Sequence, residues 1–159
     1  MDIVYIETSI ISHATARPCL DPATAVLQDQ ARLWMTEQRP LFEVLTSQLV
    51  IDEASLGDAD AAIRRLAMLD GIPVLPANPN ADFIADQIVS RSMMPSKARL
   101  DALHIATAAL AGVQYLPTQN CTHIANAHEL PRVYRLLDEF GLLGMLICTP
   151  AEFPGGSIR

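Results

Sequence analysis

Positive charge is scarce in this sequence. Its 159 residues include a single lysine, Lys97, and the 11 lysines and arginines face 18 aspartates and glutamates, for a formal net charge of −7. Affinity for a nucleic-acid backbone comes largely from basic side chains that neutralise phosphates, so the overall charge argues against non-specific binding of nucleic acid. The acidic excess can serve ordinary solubility, or it can be concentrated at a site that binds a cation.

Cysteines are few and widely spaced. Cys19, Cys121 and Cys148 form neither a disulfide framework nor a zinc-binding pattern, and three reduced thiols are typical of a cytoplasmic protein. The N-terminus lacks a basic segment followed by an apolar run and a cleavage site, so we expect no signal peptide. Charged residues interrupt every apolar stretch before it reaches membrane-spanning length, so we expect no association with a membrane.

Aromatic residues make up only 5% of the chain, whereas 50% of it is hydrophobic. This composition favours a helix-rich core of aliphatic side chains, and the length suits one domain. The sequence has no internal repeat, low-complexity segment or flexible linker. We therefore predict a single domain over residues 1–159, with a loop-like tail from about residue 151.

Strands and helices alternate in the predicted order of elements. Short runs of β-branched, aliphatic and aromatic residues predict five strands, at 3–6, 42–46, 72–75, 113–116 and 145–148. Helical spacing predicts helices at 22–38, 48–56, 59–69, 80–92, 96–111 and 129–140. This order predicts an α/β fold: a three-layer α/β/α sandwich with a mainly parallel central sheet of about five strands.

Three local sequence features refine these elements. Thr8 or Ser9 can cap a helix after the first strand, but Ile10 and Ile11 are mediocre helix formers, so that segment is left open. Ser47 can cap the helix at 48–56. The clearest helix is 96–111, for which Ser96 is the expected cap and Gly112 the expected end.

Four polar residues follow or precede strands where a ligand site is expected. In open α/β sheets, ligands bind outside the carboxyl ends of the strands. Glu7 ends the first strand, Glu53 follows the second, Asp101 lies in the first turns of the helix that leads to the fourth, and Asn120 follows the fourth. Carboxylates that share one edge repel each other unless a cation compensates them, and Mg²⁺ suits hard oxygen ligands.

Each of these residues also has a purely structural interpretation. Glu7 can simply accept a backbone amide at a helix start, Glu53 can be a solvated acid, and Asn120 can be a turn residue. Asp101 lies on a helix whose neighbouring residues are mostly apolar, so its carboxylate needs a partner. His104 is one candidate, although a hydrogen-bonded core histidine is the more common case.

The chain resembles a known family in four segments that follow one another in the family's order. These are Tyr5-Ile6-Glu7-Thr8-Ser9, Leu49-Val50-Ile51-Asp52-Glu53-Ala54-Ser55, Asp101-Ala102-Leu103-His104-Ile105-Ala106 and Thr118-Gln119-Asn120-Cys121-Thr122-His123-Ile124-Ala125-Asn126. Together they resemble the motif series of PIN domains, and in particular the VapC-like toxins of bacterial toxin–antitoxin pairs. The resemblance extends from Ile3 to about Pro150.

The resemblance implies a metal-dependent ribonuclease whose acidic cluster consists of Glu7, Glu53 and Asp101. Asn120 stands where the family often has a further aspartate, and Glu7 replaces the more usual aspartate, which lengthens that side chain by one methylene. Thr8 and Ser9 follow the first acid as in the family pattern and are expected to orient it or a bound water. The expected metal is Mg²⁺, for which Mn²⁺ can substitute: one ion is held firmly, and a second can arrive with the substrate phosphate.

The same resemblance implies an RNA substrate, an antitoxin protein that occludes the site, and a homodimer formed through apolar helix faces. Lys97 and Arg99 are the most plausible phosphate contacts, because they flank the start of the helix that carries Asp101; Arg17 and His123 are also near the motif segments.

Two other classes of function remain open. One is a catalytically silent PIN-like module that acts by binding a protein partner, which the net charge and Asn120 favour. The other is a phosphoacceptor receiver domain, which also has acids at strand ends. A receiver domain needs a late lysine, and this chain has none after Lys97.

Overall fold

The protein is an α/β domain in which short parallel strands alternate with helices. A computed structural model describes residues 1–91 and 94–153. The strands are β1 (Ile3–Tyr5), β2 (Glu43–Leu45), β3 (Tyr115–Pro117) and β4 (Leu146–Cys148). The α-helices are α1 (Thr8–Thr15), α2 (Pro22–Leu33), α3 (Gln48–Ala54), α4 (Ala59–Leu69), α5 (Ala81–Arg91), α6 (Arg99–Leu110) and α7 (Leu130–Glu139).

The four strands form one sheet in the order β2-β1-β3-β4, and every neighbouring pair is parallel. Val4 of β1 pairs with Val44 of β2 on one side and with Tyr115 of β3 on the other. Val4 and Tyr5 are fully buried, as expected for the central strand of a parallel sheet. Because all strands run the same way, their carboxyl ends share one edge, and the segments that follow them start there.

The sheet has four strands rather than the five predicted. The predicted third strand, at 72–75, is reduced to an isolated parallel bridge between Thr46 and Val74. Two hydrogen bonds hold it: the Thr46 amide donates to the Pro73 carbonyl at 3.0 Å, and the Leu75 amide donates to the Thr46 carbonyl at 2.8 Å. Proline has no amide hydrogen and breaks a ladder, which is why this segment adds a contact and no strand.

Helix α1, which the sequence left open, is present. Its first residue is Thr8, and Glu7 is the N-cap, whose side chain accepts a hydrogen bond from the Ile10 amide. Ile10 and Ile11 are both completely buried. The free energy gained by burying two large side chains, together with the cap, exceeds the modest free-energy cost of β-branched residues in a helix.

The predicted helix at 22–38 changes character before its end. The α-helix ends at Leu33, and a π-helical segment, Trp34–Gln38, and a 3₁₀ turn, Arg39–Leu41, follow it. Trp34 is buried and packs against Phe42 and Phe153, with ring centroids 6.3 and 5.5 Å away. Pro40 cannot continue the α-helical hydrogen bonding, so the chain leaves the helix here.

The start of the clearest predicted helix is different from the expectation. Residues Ser96–Ala98 form a 3₁₀ turn, and α6 begins at Arg99 with Ala98 as an N-cap that makes no side-chain hydrogen bond. Ser96 is therefore not the cap. The expected end is confirmed, because Gly112 follows with a φ of 72°, a conformation that glycine adopts without strain.

Of the remaining predicted elements, α4 has the predicted bounds, β3 is shifted to Tyr115–Pro117, and the others are shorter than predicted. Ser47 caps α3 by accepting a hydrogen bond from the Val50 amide, as predicted. Residue 92 of the predicted helix 80–92, and the tail after residue 153, lie outside the described residues. Within the part of the chain that the structure describes, none of the helices combines the length and apolar character required to cross a bilayer.

Candidate acidic site

The residues predicted to form a site lie at the carboxyl edge of the sheet. Glu7 is two residues beyond β1, Asn120 is three residues beyond β3, and Glu53 lies on α3, which starts directly after β2. Asp101 lies in the first turn of α6. Hydrogen bonds and electrostatic interactions link the four, and we call the group of Glu7, Glu53, Asp101 and Asn120 the acidic site.

His104 is the centre of the acidic site, and the side chain is almost completely buried. Its Nε2 lies 2.5 Å from Oε1 of Glu53, and its Nδ1 lies 2.9 Å from the hydroxyl of Tyr5. The Tyr5 hydroxyl is in turn 2.7 Å from Oγ of Ser47. A single imidazole therefore connects α6 to β1 and to α3. The sequence had offered Asp101 as one candidate partner and a hydrogen-bonded core histidine as the more common case, and His104 is such a buried, hydrogen-bonded histidine.

Glu7 is the N-cap of α1, and its side chain is almost completely buried. Its Oε1 accepts a hydrogen bond from the Ile10 amide at 3.1 Å and another from the Ser9 hydroxyl. The structural interpretation of Glu7 as a helix cap is thus confirmed. Burial raises the pKa of Glu7 above its ordinary value, although the charge of His104 and the hydrogen bonds from Ser9 and Ile10 lower it in part.

Glu53 is a partly exposed carboxylate that two neighbours stabilise in its charged form. Its Oε1 accepts a hydrogen bond from the Thr8 hydroxyl at 2.7 Å, besides its contact with His104. Burial raises the pKa of Glu53, but the hydrogen bond and charge of His104, together with Thr8, outweigh burial, so its pKa lies below the ordinary value. Glu53 is therefore more than a solvated surface acid.

The two glutamates share one feature: their hydrogen bonds converge on Oε1. In each residue this oxygen accepts two hydrogen bonds. The Ser9 amide also interacts with the Glu7 carboxylate. Glu7 is almost completely buried, whereas 25% of the Glu53 side chain is exposed, so Glu53 is the glutamate that a ligand from solvent reaches more readily.

Burial and the charges of several neighbouring residues determine the pKa of Asp101. Its pKa is raised mainly by burial and, to a smaller extent, by the negative charge of Glu53. The charges of His123 and His104 and a hydrogen-bonding interaction with Asn120 lower the pKa, but not enough to cancel the effect of burial. Asp101 and Glu53 are therefore close enough for their negative charges to repel each other.

Asn120 is oriented by the backbone that follows it. Its Oδ1 accepts a hydrogen bond from the His123 amide at 3.0 Å, which fixes which end of the side-chain amide is the oxygen. Its side-chain interaction with Asp101 is one that favours the charged carboxylate. In this arrangement Asn120 holds a turn and supports Asp101, whereas the sequence had suggested that its oxygen binds a metal.

Ser9 and Thr118 join α1 to the segment after β3. The Ser9 hydroxyl donates to Glu7, accepts a hydrogen bond from the Gln119 amide at 2.8 Å and lies 3.3 Å from Oγ1 of Thr118. The Thr118 hydroxyl accepts a hydrogen bond from the Asn120 amide at 2.9 Å. The prediction that Ser9 orients the first acid agrees with these contacts, while Thr8 contacts the second acid instead.

The structure adds Tyr5, Ser47 and Thr118 to the residues singled out from the sequence. Tyr5 lies in a strand and Ser47 caps a helix, so their positions suggested no functional role. Thr118 lies within the motif that contains Asn120, and its complete burial is the feature that distinguishes it.

The acidic site fits Mg²⁺ in chemistry, although not as a preformed cage. Among the described residues, no group of three or more histidine, cysteine, aspartate or glutamate side chains is arranged to hold a metal ion. Mg²⁺, however, usually retains several waters and binds through one or two carboxylates plus substrate phosphate. The carboxylates of Glu7, Glu53 and Asp101 are hard oxygen donors of the type that such an ion takes, so the donor chemistry of these residues fits Mg²⁺.

The two predicted phosphate contacts differ in their surroundings. The Arg99 guanidinium is bound to two acids of α5, at 2.9 Å from Asp82 and 2.8 Å from Asp86. Lys97 is exposed, and no ion pair involves it within the described part of the chain. Arg99 is therefore largely neutralised where it lies, and Lys97 is the more available of the two.

Comparisons with known proteins leave the family resemblance untested. No protein-family model matches this chain, and no curated protein is significantly similar to it.

Proposed function

We propose that this protein is a Mg²⁺-dependent endoribonuclease that hydrolyses RNA phosphodiester bonds at the acidic site. The observation that carries the proposal is the gathering of Glu7, Glu53 and Asp101, from three distant segments, around the buried His104. Burial raises the pKa values of Glu7 and Asp101, and a divalent cation bound beside them would favour their ionised forms. A PIN-like three-layer sandwich of the VapC type is part of the same proposal.

The carboxylates of Glu7, Glu53 and Asp101 would hold the ion. When bound, Mg²⁺ would supply Lewis-acid polarisation of the phosphate and of an attacking water. The chain itself contributes rigidity: Ser9 and the Ile10 amide fix one glutamate, and Thr8 and His104 fix the other.

Asn120 has a positioning role in this proposal. Its amide favours the ionised form of Asp101, and its own orientation is set by the His123 amide. The site therefore has three carboxylates and a neutral residue that steers one of them, and no nucleophilic side chain is required for hydrolysis.

The wider role we propose is that of the toxin in a toxin–antitoxin pair, active as a homodimer in the cytoplasm. The support for this is the motif series that resembles VapC-like toxins. An antitoxin would neutralise the enzyme by covering the acidic site, and a basic side chain inserted among the carboxylates would form ion pairs with them.

A second candidate is a catalytically silent PIN-like module that binds a protein partner. Two observations favour it: no group of three potential metal ligands is preformed in the described residues, and the Asn120 oxygen is engaged by the backbone. In that case Mg²⁺ or Mn²⁺ should leave the melting temperature unchanged, whereas a metal enzyme should be stabilised by the ion it binds.

The experiment that tests the proposal is cleavage of tRNA and mRNA with Mg²⁺, with EDTA, and with Mg²⁺ restored. We expect cleavage that EDTA abolishes reversibly, and a loss of at least about a hundredfold in Glu7→Gln and Asp101→Asn. Asp52→Asn is the matched control, because Asp52 is an exposed acid next to Glu53. Failure of the parent protein to cleave either RNA with Mg²⁺ or Mn²⁺ would contradict the proposal.

A further inference from the structure

An open groove of about 440 Å³ lies between the second half of α1 and the beginning of α4. Its charged and hydroxyl-bearing lining residues are Ser12, Thr15, Arg17, Asp58, Asp60, Arg64 and Arg65. We call it the arginine groove. Its volume is within the range of clefts that bind small molecules, and its lining is polar and charged, which suits an ionic ligand with hydroxyl groups.

The arginine groove continues from the acidic site. Thr8, Ser12 and Thr15 are spaced four and three residues apart, so their hydroxyls lie on one face of α1. The first of them binds Glu53, and the last is about 10 Å further along the helix. On the opposite wall, Nε of Arg65 donates a hydrogen bond at 2.9 Å to the carbonyl of Ala54, the residue after Glu53.

The arginines of the arginine groove form no ion pairs with acids. Within the described residues, no carboxylate oxygen lies within 4.0 Å of a guanidinium nitrogen of Arg17, Arg64 or Arg65. Asp58 and Asp60 also line the groove, and the carboxylate of Asp58 accepts a hydrogen bond from the Ala61 amide and caps α4. With three arginines and two aspartates, the lining has a small excess of positive charge in a chain with a net charge of −7.

Two of the three arginines also have structural tasks. Nε of Arg64 donates a hydrogen bond at 3.1 Å to the carbonyl of Thr15, the last residue of α1. Nε of Arg65 donates a hydrogen bond to the carbonyl of Ala54, the last residue of α3. Arg17 is different, because its side chain makes no hydrogen bond or ion pair with any described residue. Its backbone is fixed, since its carbonyl accepts a hydrogen bond at 3.1 Å from the buried Gln28.

We infer that the arginine groove binds the sugar-phosphate backbone of single-stranded RNA beside the bond that is cut, and that Arg17 contacts a phosphate there. The inference rests on the proposed function and deepens it. Carboxylates at the acidic site repel a polyanion, so the substrate needs attraction from cations nearby. Arg17 supplies this attraction from a rigid segment, and the Ser12 hydroxyl is available to a phosphate or ribose oxygen.

A binding experiment separates the groove from catalysis. The probe is a 5′-fluorescent, 12-nucleotide single-stranded RNA, titrated with the full chain in EDTA and read by anisotropy at several salt concentrations. We expect Arg17→Gln to weaken binding about tenfold at low salt and to reduce the slope of log K against log salt by about 0.7, the loss of one phosphate contact to a single strand. Arg17→Lys should retain most of the affinity.

The chain offers a matched control in its other arginine-lined cavity. Arg91, Arg132 and Arg135 line a space of about 180 Å³, and Arg91 there is paired with Glu139 at 2.5 Å. Arg132→Gln removes the same charge from an exposed position and should leave RNA affinity unchanged. Circular dichroism of each variant confirms folding, which removal of the exposed Arg17 side chain should not alter.

Three outcomes would overturn the inference: no RNA binding by the parent, equal affinity of parent and Arg17→Gln, or an equal loss in Arg132→Gln. Loss of affinity in Arg17→Gln alone supports it, even when the parent cleaves no RNA with Mg²⁺, which is the result that refutes the nuclease proposal. With an active parent, Arg17→Gln should raise KM for the 12-nucleotide RNA about tenfold and leave cleavage of a dinucleotide unchanged.

Discussion

Nε2 of His104 lies 2.5 Å from Oε1 of Glu53, and the histidine is buried while the glutamate side chain is 25% exposed. The pair joins the interior of the domain to the acidic site. Because the contact lowers the pKa of Glu53, the site keeps one reliably charged carboxylate among neighbours whose pKa values are raised.

Replacement of His104 should change both stability and the pH dependence of cleavage. In His104→Gln the amide cannot carry a positive charge, so the pKa of Glu53 should rise and the acid limb of kcat/KM should move to higher pH. Loss of the buried contacts should lower the free energy of unfolding by about 1–3 kcal/mol, measured in urea. Tyr5→Phe is the control, since it leaves the contact between His104 and Glu53 in place; an unshifted acid limb in His104→Gln would contradict this role.

Asp101→Asn should abolish cleavage while the fold remains intact or becomes more stable. The pKa of Asp101 is raised by burial and by repulsion from Glu53, so removal of its charge relieves an unfavourable interaction at neutral pH. RNA cleavage and thermal unfolding measure the two effects, with Asp52→Asn as the control. Activity equal to that of the parent on a panel of RNAs would defeat the assignment of Asp101 to the catalytic centre.

Glu7→Gln should alter how stability depends on pH. Since the pKa of Glu7 is raised in the folded state, the unfolded chain ionises first, and stability falls as pH rises from about the ordinary value of 4.5 through the folded pKa. The glutamine side chain can still cap α1 but does not ionise. The free energy of unfolding of Glu7→Gln, relative to that of the parent, should therefore increase toward neutral pH. Urea unfolding between pH 4 and 8 tests this.

A comparison with Glu43→Gln, at an exposed position, isolates the effect of burial at Glu7. Mg²⁺ should reduce the difference between parent and Glu7→Gln at neutral pH, because a bound cation favours the ionised carboxylate of the parent. Identical pH profiles of Glu7→Gln and the parent would show that Glu7 ionises in the folded protein as it does in water.

The expected homodimer can be tested at an exposed aromatic pair. Phe83 of α5 and Phe140, just after α7, pack edge to face with ring centroids 5.7 Å apart, although 53% and 38% of their surfaces are exposed. If this apolar face lies in the dimer interface, Phe83→Glu should yield monomers by light scattering at micromolar concentration, whereas Leu20→Glu, at a fully exposed residue, should not. A monomeric parent would remove the prediction of a dimer.

The order of elements followed from sequence because most segments have a clear period and a clear end. Ser47 before α3 and Gly112 after α6 mark boundaries that the structure confirms. The sequence was less informative where packing or a single residue determines whether an element forms. Helix α1 depends on the burial of Ile10 and Ile11. The segment at 72–75 contains Pro73, which limits its pairing to a single bridge.

The acids of the candidate site could be predicted from the sequence, but the hydrogen bonds that connect them could not. Motif order brought Glu7, Glu53 and Asp101 into one hypothesis, and in the structure all three interact with His104. The partners of His104 could not be foreseen, because Tyr5 and Glu53 are 99 and 51 residues away from it in the chain. Nor could the orientation of Asn120, which a backbone amide fixes.

Two hydrogen bonds converge on one oxygen of each glutamate, so side-chain length is a constraint at positions 7 and 53. Aspartate in either place has the same charge but is one methylene shorter, so it keeps both hydrogen bonds only if the backbone moves closer to the partners. A chain with the same fold and an aspartate at position 7 should therefore differ in the path of the backbone that enters α1.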